Sequence, residues 1–283
     1  MRPRHRPDAV PDASPRSIHL DFEPARDGFS FSNSFAWTDD DLGSLSRSLR
    51  PARAGALAVA AAAGGAVSGG LGGAAAAALA GGALGAGGLG GAVVRGVAQR
   101  WRSFGLCGGM ALAAIERWPH RGGPHTADLQ RDDIRALLRR RQEATLRASL
   151  GRFAQLWARV RAGRTGEAAA FPRALALELG RIADTLGAGR PALVGLVGDA
   201  PDPFAQHQVV VFGIDRRARL DATLQVYDPN APGRARQITV APAPGDSDGA
   251  RITTTLPTGR RADGHAHIST RKGVLSHLFA IDA

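Results

Sequence analysis

The chain has 283 residues, a formal net charge of +11 and a single cysteine. Its length allows one large domain or two small ones with a substantial core, and one cysteine excludes an internal disulfide framework. Few aromatic residues and no recognisable nucleic-acid motif accompany the positive charge, so we expect no nucleic-acid partner, although acidic surfaces will attract the protein.

The N-terminal residues 1–27 are rich in proline, arginine and aspartate and lack hydrophobic periodicity, which predicts a disordered basic arm. No apolar stretch follows the first basic residues, so we expect no conventional signal peptide. The lone cysteine fits a reducing, cytoplasmic location without excluding export. We place the domain at residues 28–283, and its aromatic residues at 29–37 predict an extended segment that docks on the core.

Residues 54–94 carry no charge and consist mostly of alanine and glycine. The run is long enough for two membrane crossings, and its glycines four residues apart would let helices approach closely. Glycine is a poor helix former and alanine is only weakly apolar, which favours a low-complexity linker or a loosely packed hairpin. Membrane contact, self-association and an inert linker all stay open for this run, which we interpret as an insertion into the domain.

The only thiol, Cys107, precedes two glycines and an apolar stretch that ends near residue 118. This pattern predicts a tight turn that opens into a helix, and the N-terminus of a helix stabilises a thiolate. The alternative is a small buried hydrophobic residue with no chemical role.

Two further helices are predicted at 127–161 and 171–186, because their apolar residues recur at helical spacing. We expect them to form a lobe against the cysteine helix. Strands follow, and a final apolar element closes the core; the predicted strands are 191–198, 207–214, 224–228, 235–240 and 250–256. The loop and C-terminal histidines have no acidic or thiol companions, so we predict neither a metal site nor a cofactor.

The second candidate catalytic residue is His207, which is the first residue of a predicted strand. The next strand stops at Asp228, which opens an Asp-Pro-Asn turn. An antiparallel pair of these strands would set Asp228 beside His207, with Asn230 as an alternative orienting group. Cysteine, histidine and carboxylate together supply a nucleophile, its base and the group that orients the base.

In this order, the three residue types resemble the papain-like superfamily of cysteine peptidases, in particular a bacterial branch similar to the double-glycine-leader peptidases. The resemblance covers roughly residues 100–232. Its matching pieces are Cys107 with Gly108 and residues 189–196, 207–213 and 226–229.

What the resemblance implies is an α+β, papain-like fold, in which an N-terminal nucleophile helix and a helical lobe pack on an antiparallel sheet, with residues 54–94 inserted. It also implies a hydrolase for a peptide or amide substrate, with Cys107, His207 and Asp228 as its catalytic triad.

One position departs from the family pattern. A glutamine about six residues before the cysteine donates to the oxyanion in that family, but Trp101 stands there in this chain. The candidates for this role are Gln99, Asn33 and the backbone N–H of Gly108.

Two rival readings of the same residues stay open. Transglutaminases and arylamine acetyltransferases use these residue types in this order to transfer an acyl group to an amine. A non-enzymatic papain-like module would instead hold a peptide in its cleft and associate with a membrane or partner through residues 54–94.

Overall fold

The computed structural model describes residues 15–36, 38, 103–120, 124–161, 170–198, 206–243, 246–257 and 274–283. The Ala/Gly-rich run, Gln99 and Trp101 lie outside these ranges, as do residues 1–14 of the predicted arm.

Helices and strands in the described ranges follow the predicted order from the cysteine onward. The helices are α1 (Pro24–Asp27), α2 (Cys107–Arg117), α3 (Arg131–Arg161) and α4 (Ala170–Gly187). The strands are β1 (Arg16–His19), β2 (Phe35–Ala36), β3 (Ser103–Phe104), β4 (Ala192–Val197), β5 (His207–Ala218), β6 (Asp221–Tyr227), β7 (Ala235–Ala243), β8 (Asp246–Thr254), β9 (Val274–Leu275) and β10 (His277–Ala280).

Eight of these strands form one antiparallel sheet in the part of the chain that the structure describes. Its order is β10-β4-β5-β6-β7-β8-β9, and β1 pairs with the C-terminal part of β5. Although β9 and β10 lie at opposite ends of this order, only Ser276 separates them along the chain. The sheet therefore curls and brings its two ends near each other at Ser276, and the fold is α+β with a curled antiparallel sheet.

The curled sheet is buried on both faces along β5. Val209 and Val211 belong to a core that the sheet forms with α4. Val210 and Phe212 belong to a second core, shared with α2, α3 and the N-terminal aromatic residues. A strand covered on both faces has no polar alternation, which explains its uninterrupted apolar run.

Residues 15–36, here called the N-terminal strap, overturn part of the predicted arm. Strand β1 pairs with β5, with Ile18 opposite Ile214, and Phe22 stacks on Phe212 with ring centroids 5.4 Å apart. The prediction of disorder is therefore wrong for residues 16–27. Basic and acidic residues dominate the composition of this segment and conceal its few apolar residues. In the fold, however, the segment pairs with an open strand edge, and its apolar residues pack in a core.

The strap continues along the second core, where Phe29 and Phe35 are buried as the aromatic pattern predicts. The backbone N–H of Phe29 donates to the hydroxyl of Tyr227 at 2.9 Å. Burial raises the pKa of Tyr227, so its hydroxyl stays protonated and neutral at this contact. Strand β2 then pairs with β3, immediately before the cysteine, and brings the strap to the candidate site.

Candidate active site

The candidate nucleophile is the first residue of α2, where the chain turns from β3 into the helix. Cys107 is partly exposed, whereas the residues that follow it as far as Ala114 are buried. Leu106 precedes the helix and makes no side-chain hydrogen bond that would cap the helix. Acceptors for the first N–H groups of the helix can therefore come only from other parts of the fold, from solvent or from a bound group.

Three N–H groups around this turn are satisfied inside the protein. The N–H of Leu106 donates to Asn33 Oδ1 at 2.5 Å. The N–H of Gly109 donates to Gln142 Oε1 at 2.9 Å, and that of Met110 donates to the Leu106 carbonyl at 2.8 Å. The strap and α3 thus hold the turn from two sides.

The N–H groups of Cys107 and Gly108 differ from these neighbours. Neither donates to an acceptor among the residues that the structure describes. Both belong to the turn that carries the thiol, so they are available to an oxygen of a group bound at the sulfur. The backbone N–H of Gly108 therefore stays a candidate oxyanion donor.

The two glycines after the thiol have a packing role that we did not predict. A Cβ on Gly109 would overlap the Leu138 carbonyl oxygen of α3, and one on Gly108 would overlap the side chains of Gln208 and Thr145. Glycine is needed here because the interior approaches the helix too closely for any side chain.

The histidine and carboxylate meet as the strand pattern predicts. His207 begins β5, Asp228 directly follows β6, and the two strands pair with Val210 opposite Tyr227. His207 Nε2 lies 2.6 Å from Asp228 Oδ1, and both side chains are buried. A carboxylate only accepts hydrogen bonds, so Nε2 donates to it.

The imidazole also interacts with the thiol. Cys107 is within hydrogen-bonding reach of the His207 ring, and because Nε2 serves Asp228, we infer that Nδ1 is the nitrogen left for the thiol. Burial alone would lower the pKa of His207, but Asp228 and Cys107 outweigh it and raise the pKa to about 10. The site therefore favours a protonated imidazole at neutral pH.

This raised pKa predicts how stability depends on pH. A group whose pKa is higher in the folded state stabilises the fold fully below its unfolded pKa, about 6.5 for histidine, and loses that contribution as pH rises through the folded value. We expect the free energy of unfolding to decline between pH 6.5 and about 10. Urea unfolding across this range measures the decline, and a His207→Gln variant with an equally steep decline would contradict its assignment to this residue.

The two asparagines proposed from the sequence lie together beside this pair. Asn33 is 1% exposed, its Oδ1 accepts from Leu106, and its Nδ2 donates to Asn230 Oδ1 at 3.3 Å. Burial and these two contacts favour a supporting position behind the turn over the predicted role as an oxyanion donor. Asn230 Nδ2 lies 3.4 Å from His207 Nε2, so Asn230 is adjacent to the base, while Asp228 makes the shorter contact.

Sequence reasoning missed two glutamines that surround the turn. Gln142 lies within the regular pattern of α3, where nothing distinguishes it from surface glutamines. Gln208 is 2% exposed, and its Oε1 has no partner among the described residues. The available signal for Gln208 was a polar residue between His207 and a run of valines, in a strand that is otherwise apolar.

Searches against models of protein families, against curated proteins and against solved structures find no match for this chain. Among the described helices, none combines the length and apolarity needed to cross a membrane.

Proposed function

We propose that the protein is a thiol-dependent acyl hydrolase of papain-like architecture, acting as a peptidase or amidase. Cys107 is the nucleophile, His207 the base and Asp228 the group that orients the base. The observation that carries this proposal is the buried imidazole that lies 2.6 Å from Asp228 and is also within hydrogen-bonding reach of Cys107. The arrangement of α2 and α3 against an antiparallel sheet supports the papain-like architecture.

The chemistry follows from these positions. In the reacting pair the proton shared by Cys107 and His207 is on the imidazole, and the Cys107 thiolate forms a C–S bond with the acyl carbon. The tetrahedral intermediate then expels the amine, which takes the proton from the imidazolium and leaves a thioester on the sulfur. His207 next removes a proton from water, whose oxygen attacks the thioester and releases the acid and the free thiol.

Two backbone N–H groups supply the oxyanion stabilisation in this proposal. Those of Cys107 and Gly108 have no described acceptor, and a donor aimed at a developing oxyanion contributes roughly 3 kcal/mol to catalysis. They belong to α2, whose N-terminal dipole favours the same negative charge.

The experiment begins with covalent labelling of the full-length protein by iodoacetamide and by an epoxysuccinyl peptide. We expect rapid modification of Cys107 at neutral pH, with the modified peptide identified by mass spectrometry and absent in Cys107→Ser. Fluorogenic peptides and aryl amides then report hydrolysis. A thiol that reacts no faster than a free cysteine, with no turnover of either substrate class, would favour the non-enzymatic binding module.

Acyl transfer is separated from hydrolysis in the same assay. The thioester is common to both, so adding an amine acceptor tests which nucleophile resolves it. Acid as the main product in the presence of millimolar amine supports the hydrolase. Predominant amide product would support the acyltransferase instead.

Membrane or self-association through residues 54–94 is a separate proposal, tested by deleting them. Ala36 and Ser103, which lie on either side of this part of the chain, are paired directly in the β2–β3 ladder. The deletion therefore leaves these two ends side by side, and we expect Cys107 labelling to persist while liposome association and higher oligomers are lost. Sedimentation with liposomes and light scattering measure both; equal behaviour of the two proteins would remove the proposal.

A further inference from the structure

A chain of buried amides connects the nucleophile turn to the base from behind. It runs from the N–H of Leu106 to Asn33, from Asn33 to Asn230, and from Asn230 to the His207 ring. The backbone N–H of Asn33 also donates to the Pro229 carbonyl at 3.0 Å, which fixes the strap against the turn after β6. Both asparagine side chains are at least nine-tenths buried.

The orientation of the amides in this hydrogen-bonded series is determined at the Leu106 end. A backbone N–H only donates, so the Asn33 atom facing Leu106 is the oxygen, and the Asn33 nitrogen faces Asn230. An amide nitrogen also only donates, so the Asn230 atom that receives it is Oδ1. The remaining end of Asn230, its Nδ2, must then face His207.

With the amides oriented in this way, a hydrogen-bond acceptor and a hydrogen-bond donor both lie next to His207 Nε2. Asp228 Oδ1 accepts from Nε2 at 2.6 Å, which favours a hydrogen there. Asn230 Nδ2 lies 3.4 Å from the same nitrogen and points the positive end of its N–H groups at the ring, which disfavours the positive charge of the imidazolium. The two residues therefore act on the imidazole in opposite directions.

We propose that Asn33 and Asn230 form an amide relay of fixed polarity, which couples the nucleophile turn to His207 and opposes excessive protonation of the imidazole. Asn230 is the positioning residue that acts on the ring, and Asn33 acts through Asn230. The catalytic meaning of the relay rests on the proposed function: the imidazolium must return its proton to the leaving amine, and too stable an imidazolium would retain it.

Few titratable groups act on His207, so the effect of the two asparagines on its pKa can be tested. Among the described residues, the titratable groups that act on its ring are Asp228 and Cys107. Both asparagines are neutral, so their replacement by alanine changes no charge. Burial of the ring is the remaining influence, and thermal melting of each variant checks that the fold is retained.

The experiment is an NMR titration of the His207 imidazole in isotopically labelled full-length protein, assigned by loss of its signals in His207→Gln. We expect Asn230→Ala to move the titration midpoint upward by about half a pH unit, a threefold increase in proton affinity. Asn33→Ala should move it in the same direction because Asn230 is released to rotate. The double variant should match Asn230→Ala, since Asn33 has no independent path to the ring.

Unchanged or lowered midpoints, or a double variant with the sum of the two shifts, would overturn the relay. Asn230→Ala keeps the bond between Asn33 and Leu106, so it tests the relay even if Asn33→Ala does not fold. Repeating the titration in a Cys107→Ser background separates the two proposals. A slow thiol in the labelling assay defeats the catalytic function, whereas an unresponsive imidazole defeats the relay.

Discussion

Replacing His207 by alanine is expected to slow the alkylation of Cys107 at neutral pH by on the order of 100-fold. The reason is local: Cys107 lies within hydrogen-bonding reach of this imidazole, which accepts its proton and then stabilises the thiolate as an imidazolium. Second-order rate constants with iodoacetamide, measured at fixed pH and salt, give the size of the effect. Hydrolysis of any accepted substrate should fall at least as far.

The matched control is His19→Ala. His19 is also a histidine paired with an aspartate, at 2.9 Å from Asp215, but it lies on β1 and is half-exposed. Its removal should leave Cys107 alkylation unchanged. If His207→Ala and His19→Ala behave alike, the thiol is not activated by His207 and the proposed mechanism fails.

Replacing Gly109 by alanine is expected to destabilise the protein by about 3 kcal/mol or more, at the upper end of overpacking effects. The added Cβ would overlap the Leu138 carbonyl oxygen, a backbone atom of α3 that cannot rotate away. Relief would require α2 and α3 to move apart, which would also break the bond from the Gly109 N–H to Gln142. Urea unfolding measures the loss, and Cys107 labelling should become sensitive to temperature as the turn loosens.

Gly151→Ala provides the contrasting substitution. Gly151 lies inside α3 and has no atom within 4 Å of the position that a Cβ would occupy. Alanine there should stabilise the protein by up to about 1 kcal/mol through helix propensity alone. Equal tolerance of alanine at both positions would show that α2 and α3 do not make the close contact described here.

The meeting of His207 with Asp228 was predictable because it is a local consequence of pairing. A strand headed by histidine, followed by a strand that ends in aspartate, brings the two side chains together whenever the strands pair in antiparallel register. The position of Cys107 at the start of a helix was equally local, since the glycines and the apolar run that follow it define the turn.

The features of the fold and site that could not be predicted depend on contacts between distant parts of the chain. Asn33 reaches Leu106 only because the strap pairs with β5 and then follows the second core, a path that no pattern in its basic sequence signals. The curl of the sheet depends on Ser276 joining strands at opposite ends of the strand order. The strand prediction also stopped at Ile214, before the end of β5 at Ala218, because the charged residues that follow Ile214 do not continue the apolar run.

The central claim is that Cys107 becomes acylated with help from His207, and 4-nitrophenyl acetate tests it most directly. The account predicts a rapid release of one equivalent of nitrophenol, an acetyl group on the Cys107 peptide that hydroxylamine removes, and a far slower burst in His207→Ala. An acetylation rate that is the same with and without His207, or acetyl groups found only on other residues, would contradict it.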